Sequence, residues 1–172
     1  MINYAEIITF HGHACPGLAI GYRLASAAMA ALKFKRAGDD EIIAFVENDA
    51  CGVDALQYLT GCTFGKGNLI FLDYGKPAYT LCSRETGSAV RVVFHRDRIP
   101  AEVQANRPAL TDYILAAPAE ELISITPVTI ALPERAKVQT SICCAKCGEP
   151  VMASRLYAKN GRQLCIPCTD GK

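Results

Sequence analysis

The chain has 172 residues, 51% of them hydrophobic, 20% charged, with a formal net charge of +1. That length gives room for one compact domain plus an appendage, with enough apolar material for a real core. A near-neutral balance argues against any dominant electrostatic partner, and the most apolar early stretch, Leu18 to Leu32, is broken by Arg23 and short of the ~20 residues of a membrane span.

Taken in chain order, Met1–Ala14 lacks the basic start and apolar run of a secretory leader. A reducing cytoplasmic location is therefore expected, where cysteines serve metals or catalysis more often than cross-links. A loop rich in His and Cys occupies residues 10–17. Pro16 suits the first turn of a helix. Leu18, Tyr22, Ala25, Met29 and Leu32 then recur at helical spacing. Gly21, Ala25 and Ala28 leave a small-residue surface on which another backbone could pack, and from it a homodimer is expected. Lys33 to Arg36 places positive charge at the helix C-terminus, and Gly38 is expected to end the helix.

Ile42 to Glu47 reads as a buried strand, Asn48 to Gly52 as a turn and Val53 to Leu59 as a short helix. Gly61 to Asn68 is a polar, glycine-rich loop. Three strands follow, Leu69–Tyr74, Ala78–Ser83 and Ala89–His95. The turns between them, near Gly75 and Gly87, suggest that neighbours pair antiparallel. Short helical pieces fill the stretch from Pro100 to Leu122, and Pro127 and Pro133 punctuate an extended connection. Blocks of this kind predict an α+β fold with a mostly antiparallel sheet. The expected division is a core domain over 1–133, then a linker and a small metal module over 134–172.

That module is the sharpest signal in the chain. Cys144-x2-Cys147 and Cys165-x2-Cys168 are separated by 17 residues, within the ~15–20 of a four-cysteine zinc ribbon. Gly148 suits the turn behind the first pair, and Asn160-Gly161 is a hairpin signal between the pairs. A segment this small has little core of its own, so the metal supplies its folding energy. Cys143 leaves a register alternative, because it could replace Cys144 with a three-residue spacer.

Chemistry in the core concentrates at His11-Gly12-His13-Ala14-Cys15. Thiolate and imidazole suit zinc and related divalent ions, and a helix N-terminus favours the thiolate. One His capping backbone, with Cys15 as a small buried group, is the bland reading of the same residues. A second cluster runs from Asn48 to Asp54. There Cys51 sits in a turn at a strand end, either ligand or filler. Asp54 could orient a histidine or cap the short helix. A third, Thr60 to Asn68, carries Cys62 and Lys66. It departs from a P-loop, which needs four residues between its glycines and a hydroxyl after the lysine. It could still bind an anion through amides and Lys66. Cys82 reads as core.

Together, Phe10 to Leu18, Cys51 to Gln57, Thr60 to Asn68 and Tyr74-Gly75-Lys76 resemble the FmdE family of formylmethanofuran dehydrogenase proteins. The resemblance covers most of the chain. It implies a dimeric α+β core with the His/Cys loop and Cys51 near a shared cavity, and a zinc-binding tail such as longer members append. It also implies a setting in molybdenum or tungsten pterin and one-carbon metabolism, beside other subunits of such a complex. In that complex the pterin redox chemistry belongs to other subunits, and this sequence has no pterin- or iron–sulfur-binding framework.

Three functions are compatible with these residues. The first is a metal-binding core with an accessory or catalytic role. His11 or His13 would act as ligand or base, Cys15 and Cys51 as ligands or nucleophile, Lys66, Cys62 and Asp54 as cofactor contacts, and His13, Cys15 and Cys51 would hold a second metal. The second is an adaptor that uses the zinc module to bind nucleic acid or protein. The basic residues from Ser141 onward outnumber the acidic ones, and Tyr157 is the only aromatic there. The third is a metal-handling or redox-sensing protein using the non-ribbon cysteines.

Overall fold

A computed structural model describes residues 3–135 and 138–169. The chain divides into two compact units, Met1–Arg135 and Ala136–Lys172.

The first unit is α+β. It opens on α1 (Tyr4–His11), capped by Asn3, whose side chain accepts the Ala5 N–H. This helix was not expected from the sequence. Gly12 ends it at φ 98°, a left-handed turn that glycine adopts without strain. The chain then enters α2 (Pro16–Leu32). Helix α2 stops before the predicted end: Lys33 takes the left-handed C-cap position (φ 54°), so the basic run 33–36 lies beyond the helix and Gly38 is not its terminator.

Strand β1 (Ile42–Val46), helix α3 (Gly52–Thr60) and strands β2 (Leu69–Phe71), β3 (Ala78–Ser83) and β4 (Ala89–Phe94) fall where the pattern put them, within a residue or a few. Short helices α4 (Ala101–Gln104), α5 (Arg107–Ala116) and α6 (Ala119–Leu122) precede β5 (Ile123–Val128).

The sheet has five strands in the order β2-β1-β3-β4-β5. Two expectations are corrected here. Strands β2 and β3 are not neighbours: β2 runs parallel to β1 on one edge, and β1 pairs antiparallel with β3. The proline-marked connection is in part a strand. Pro127 sits in β5, an edge strand, the place in a sheet where proline is tolerated.

Helix α2 packs against β3, β4, α3 and α5. Ile7, Leu18, Leu24, Leu56, Tyr79, Leu81 and Val92 are among the buried residues of this one core. At full burial each large side chain contributes roughly 1.5–3 kcal/mol. Gly21 and Gly52 let α2 and α3 touch backbone to backbone, since a Cβ on Gly21 would overlap Gly52. The small-residue surface at Gly21, Ala25 and Ala28 is thus buried within the chain, and it gives no support to a dimer contact. Among the described residues, no helix is long and apolar enough to cross a membrane.

The second unit holds two hairpins, β6 (Ser141–Cys143) with β7 (Pro150–Met152), and β8 (Leu156–Lys159) with β9 (Arg162–Cys165), then α7 (Ile166–Thr169). Asn160 and Gly161 turn the second hairpin at φ 52° and 71°, the positive-φ pair that a two-residue turn needs.

Candidate metal centres

In the second unit the four thiols of Cys144, Cys147, Cys165 and Cys168 lie within 4.8 Å of one another. Cys144 rather than Cys143 completes the set. Cys143 is exposed on β6 while Cys144 is buried. Gly148, at φ 78°, returns its N–H to the Cys144 carbonyl and closes the turn behind the first pair. The Cys144 sulfur accepts the N–H of Cys165 at 3.3 Å and of Lys146 at 3.5 Å. Backbone N–H groups, from Cys147 first and then Cys165 and Lys146, bring its thiol down to about 6. The Cys165 side chain, with burial, pushes the Cys168 thiol up. Neighbouring thiols so close cannot all ionise unless a cation joins them. The apolar content here is slight: Leu164 with the partly buried Val151 and Leu156 around two of the cysteines. The donor set and the small core both fit a structural zinc.

In the first unit, α1 and α2 are joined by a turn that gathers donors. Gly12 reverses the chain, and the His13 ring lies 4.6 Å from the His11 ring, centroid to centroid. Cys15 caps α2, its sulfur accepting the Leu18 N–H at 3.3 Å. One nitrogen from each imidazole and the Cys15 sulfur lie within 4.8 Å of one another. His11 Nδ1 is 2.7 Å from Asp54 Oδ2 on α3. A carboxylate only accepts, so Nδ1 carries a proton; in the neutral imidazole Nε2 is then the nitrogen with the lone pair. That Nε2 is buried and has no hydrogen-bond partner. Buried polar atoms are rarely left so, and either a water or a metal ion would satisfy this one. His13 is exposed, so the cluster is open to solvent on that side.

Cys51 stands at the start of α3. Close passage of α3 over α2 brings it to Gly17, where an added Cβ would lie 3.2 Å from the Cys51 Cβ. Burial, and after it the neighbouring Cys15, pushes the Cys51 thiol up. It borders the cluster without belonging to the three-donor set of His11, His13 and Cys15, which are three of the four residues expected at the core site. A cavity of about 440 Å³ opens beside it, lined in part by His11, Cys51, Asp54, Phe64 and Phe71. A larger groove of about 730 Å³, along Tyr22, Met29, Phe34 and Leu59, has no Cys, His or carboxylate to do chemistry.

Two predicted site residues are not brought here. Cys62 is buried, its thiol donating to the Ile42 carbonyl at 3.4 Å, and burial pushes it up to about 11. Lys66 donates its ammonium to the carbonyls of Gly61 and Gly38, at 2.9 and 3.0 Å. Sequence reasoning missed Tyr4. Its hydroxyl is buried without a partner, and burial first, then Cys15, pushes it up to about 12. The signal available was Asn3, a helix cap two residues before an apolar pattern.

Known proteins resemble this chain in both of its units. Residues 10–124 match the model of the family described as FmdE, molybdenum formylmethanofuran dehydrogenase operon. Residues 139–171 match the prokaryotic dksA/traR C4-type zinc finger. A crystal structure of a tungsten formylmethanofuran dehydrogenase FmdE-like protein from Syntrophus aciditrophicus superposes with a TM-score of 0.73 at 28% identity, over 98% of this chain and 91% of that one. A probable S-adenosyl-L-methionine-binding protein of Archaeoglobus fulgidus is 33% identical over 191 residues, covering 92% of this chain. The chain spans about half the length of that relative (50%). It belongs to the FmdE family and carries a C4-type zinc finger at its C-terminal end.

Proposed function

We propose that this metal-binding protein holds a second metal in its core, on His11, His13 and Cys15, and that this centre serves an accessory or catalytic step of formylmethanofuran dehydrogenase-related one-carbon metabolism. The observation that carries the reading is His11: Asp54 holds one ring nitrogen and the other is buried with nothing to bond. Carboxylate–histidine pairs of this kind fix the tautomer and orientation of a ligand imidazole. Three protein donors leave a coordination position free. A metal so held supplies Lewis acidity to a carbonyl or a water. Asp54 keeps the His11 proton on Nδ1, and Cys51 stands next to the donor set as a further thiol. The molybdenum or tungsten chemistry of the complex would lie on other subunits, with this chain beside them in the cytoplasm.

The same reading has the chain acting as a homodimer, now on the family resemblance alone. Light scattering at micromolar concentration tests it, and a monomeric mass rejects it. The S-adenosyl-L-methionine binding named for the Archaeoglobus protein is not carried over, because nothing assigns it to the half that this chain spans.

A second reading draws on the zinc module, which exposes Ile142, Met152, Tyr157 and Ile166. Such residues suit an adaptor that docks protein or nucleic acid. Nucleic-acid binding that weakens steeply with salt would favour it.

Elemental analysis tests the main reading. Purified full-length protein should carry two metals per chain. The Cys147→Ser variant and the His13→Ala/Cys15→Ala double variant should carry one each. One metal in the parent protein and none in Cys147→Ser would reject a core centre.

A further inference from the structure

The loop at residues 61–68 holds a large apolar ring in water. Phe64 is 79% exposed, although burying such a ring would be favourable. The loop is tied down on both sides of it. Lys66 bonds the Gly38 and Gly61 carbonyls, the Thr63 N–H donates to Asn68 Oδ1 at 2.9 Å, and Asn68 Nδ2 donates to the Asp39 and Ile42 carbonyls at 3.1 and 2.9 Å. The ring is therefore placed, and the cavity of about 440 Å³ beside the His/Cys cluster is what it lines. Phe71, 45% exposed on edge strand β2, lines it as well. A volume of this order accommodates a small ligand.

Charge narrows the class of ligand. The cavity lining includes Asp49 and Asp54 and contains no Lys or Arg. Asp54 is engaged by His11, whereas the Asp49 carboxylate has no hydrogen bond or ion pair among the described residues. Aromatic faces beside an unpaired carboxylate attract a cation and repel an anion.

We propose that this cavity binds a small molecule built on a flat aromatic or heteroaromatic ring bearing a cationic nitrogen, with Phe64 and Phe71 as ring contacts and Asp49 as the charge contact. Binding stands on the cavity itself.

Calorimetric titration of the full chain with three probes tests it: benzyltrimethylammonium, benzyl alcohol and benzenesulfonate. The cation should bind about tenfold or more tighter than the sulfonate, with the alcohol between. Phe64→Ala should weaken the cation and the alcohol about tenfold. Asp49→Asn should bring the cation to the affinity of the alcohol and leave the alcohol unchanged. Equal binding of sulfonate and cation, no binding of any probe, or full binding by Phe64→Ala would overturn the proposal. So would a halved mass of Phe64→Ala in sedimentation with ring binding intact, which would assign Phe64 to an interface between copies. Metal analysis of the same samples separates the two ideas. Cation-selective binding with one metal per chain supports the cavity proposal and removes the core centre; two metals without ring binding does the reverse.

Discussion

The two cysteine-bearing sites differ in how they are built. The tail site draws its four donors from two tight pairs in one short segment, and little else holds that segment together. The core donors are organised by a fold that stands on its own apolar contacts. Cys15 caps α2, His11 ends α1, and Asp54 reaches His11 from 43 residues away. A site whose metal makes the fold must be closed. One set into an existing fold can leave a coordination position open. The contrast teaches that two clusters of close donors can stand on different supports, one on the metal it would hold and the other on the core around it.

The largest effect that would sharpen this contrast is loss of the tail metal. Structural zinc is worth on the order of 10 kcal/mol or more to a module of this size. Cys147→Ser should therefore lose zinc and render residues 139–169 protease-sensitive, while residues 3–135 keep their protection. Retained zinc and a resistant tail would break the assignment.

Next is Gly21→Ala. A methyl group there meets the Gly52 backbone, which cannot yield as a side chain would. We expect a loss of about 3 kcal/mol, read as a lower midpoint in chemical denaturation, with tail zinc unchanged. An unchanged midpoint would show that α2 and α3 do not cross there.

How much of this was legible beforehand follows the range of each interaction. The zinc ribbon and its Asn160-Gly161 hairpin are local, so spacing alone displayed them. Helix α2 showed in its periodicity. Its end did not, because Lys33 rather than a glycine took the left-handed position. Helix α1 went unseen: it is eight residues long and Ile7 is its one fully buried side chain. The parallel pairing of β2 with β1 and the strand around Pro127 depend on partners far along the chain, and local pattern pointed elsewhere. Residues 11, 13 and 15 stood out as a cluster. The sequence leaves Asp54 between two roles, and only the fold brings it to His11.

Asp54→Asn probes that contact. It should weaken metal binding in the core by about 10–100-fold and leave the tail untouched. Competition against a chelator, with tail and core signals resolved by metal stoichiometry, checks it. An unchanged core affinity would mean that the contact only braces α1 against α3.

The smallest effect concerns Cys62, which belongs to neither site. Its thiol rises from an ordinary value near 9 to about 11 in the fold. The unfolded chain therefore loses this proton first, so the stability attached to it is present below pH 9 and fades as pH climbs toward 11. One pH unit into that window corresponds to about 1 kcal/mol. Denaturation at pH 8 and pH 10 should show a steeper alkaline loss for the parent protein than for Cys62→Ala. Equal slopes would contradict the buried, protonated thiol.

The most direct test of the central claim is cobalt substitution of the full-length Cys147→Ser protein, followed by X-ray absorption at the cobalt edge. A core centre on His11, His13 and Cys15 predicts one tightly bound cobalt per chain with a mixed shell, nitrogen-rich with a single sulfur, which disappears in the Cys147→Ser/His13→Ala/Cys15→Ala protein. No bound cobalt, or an all-sulfur shell, would contradict it.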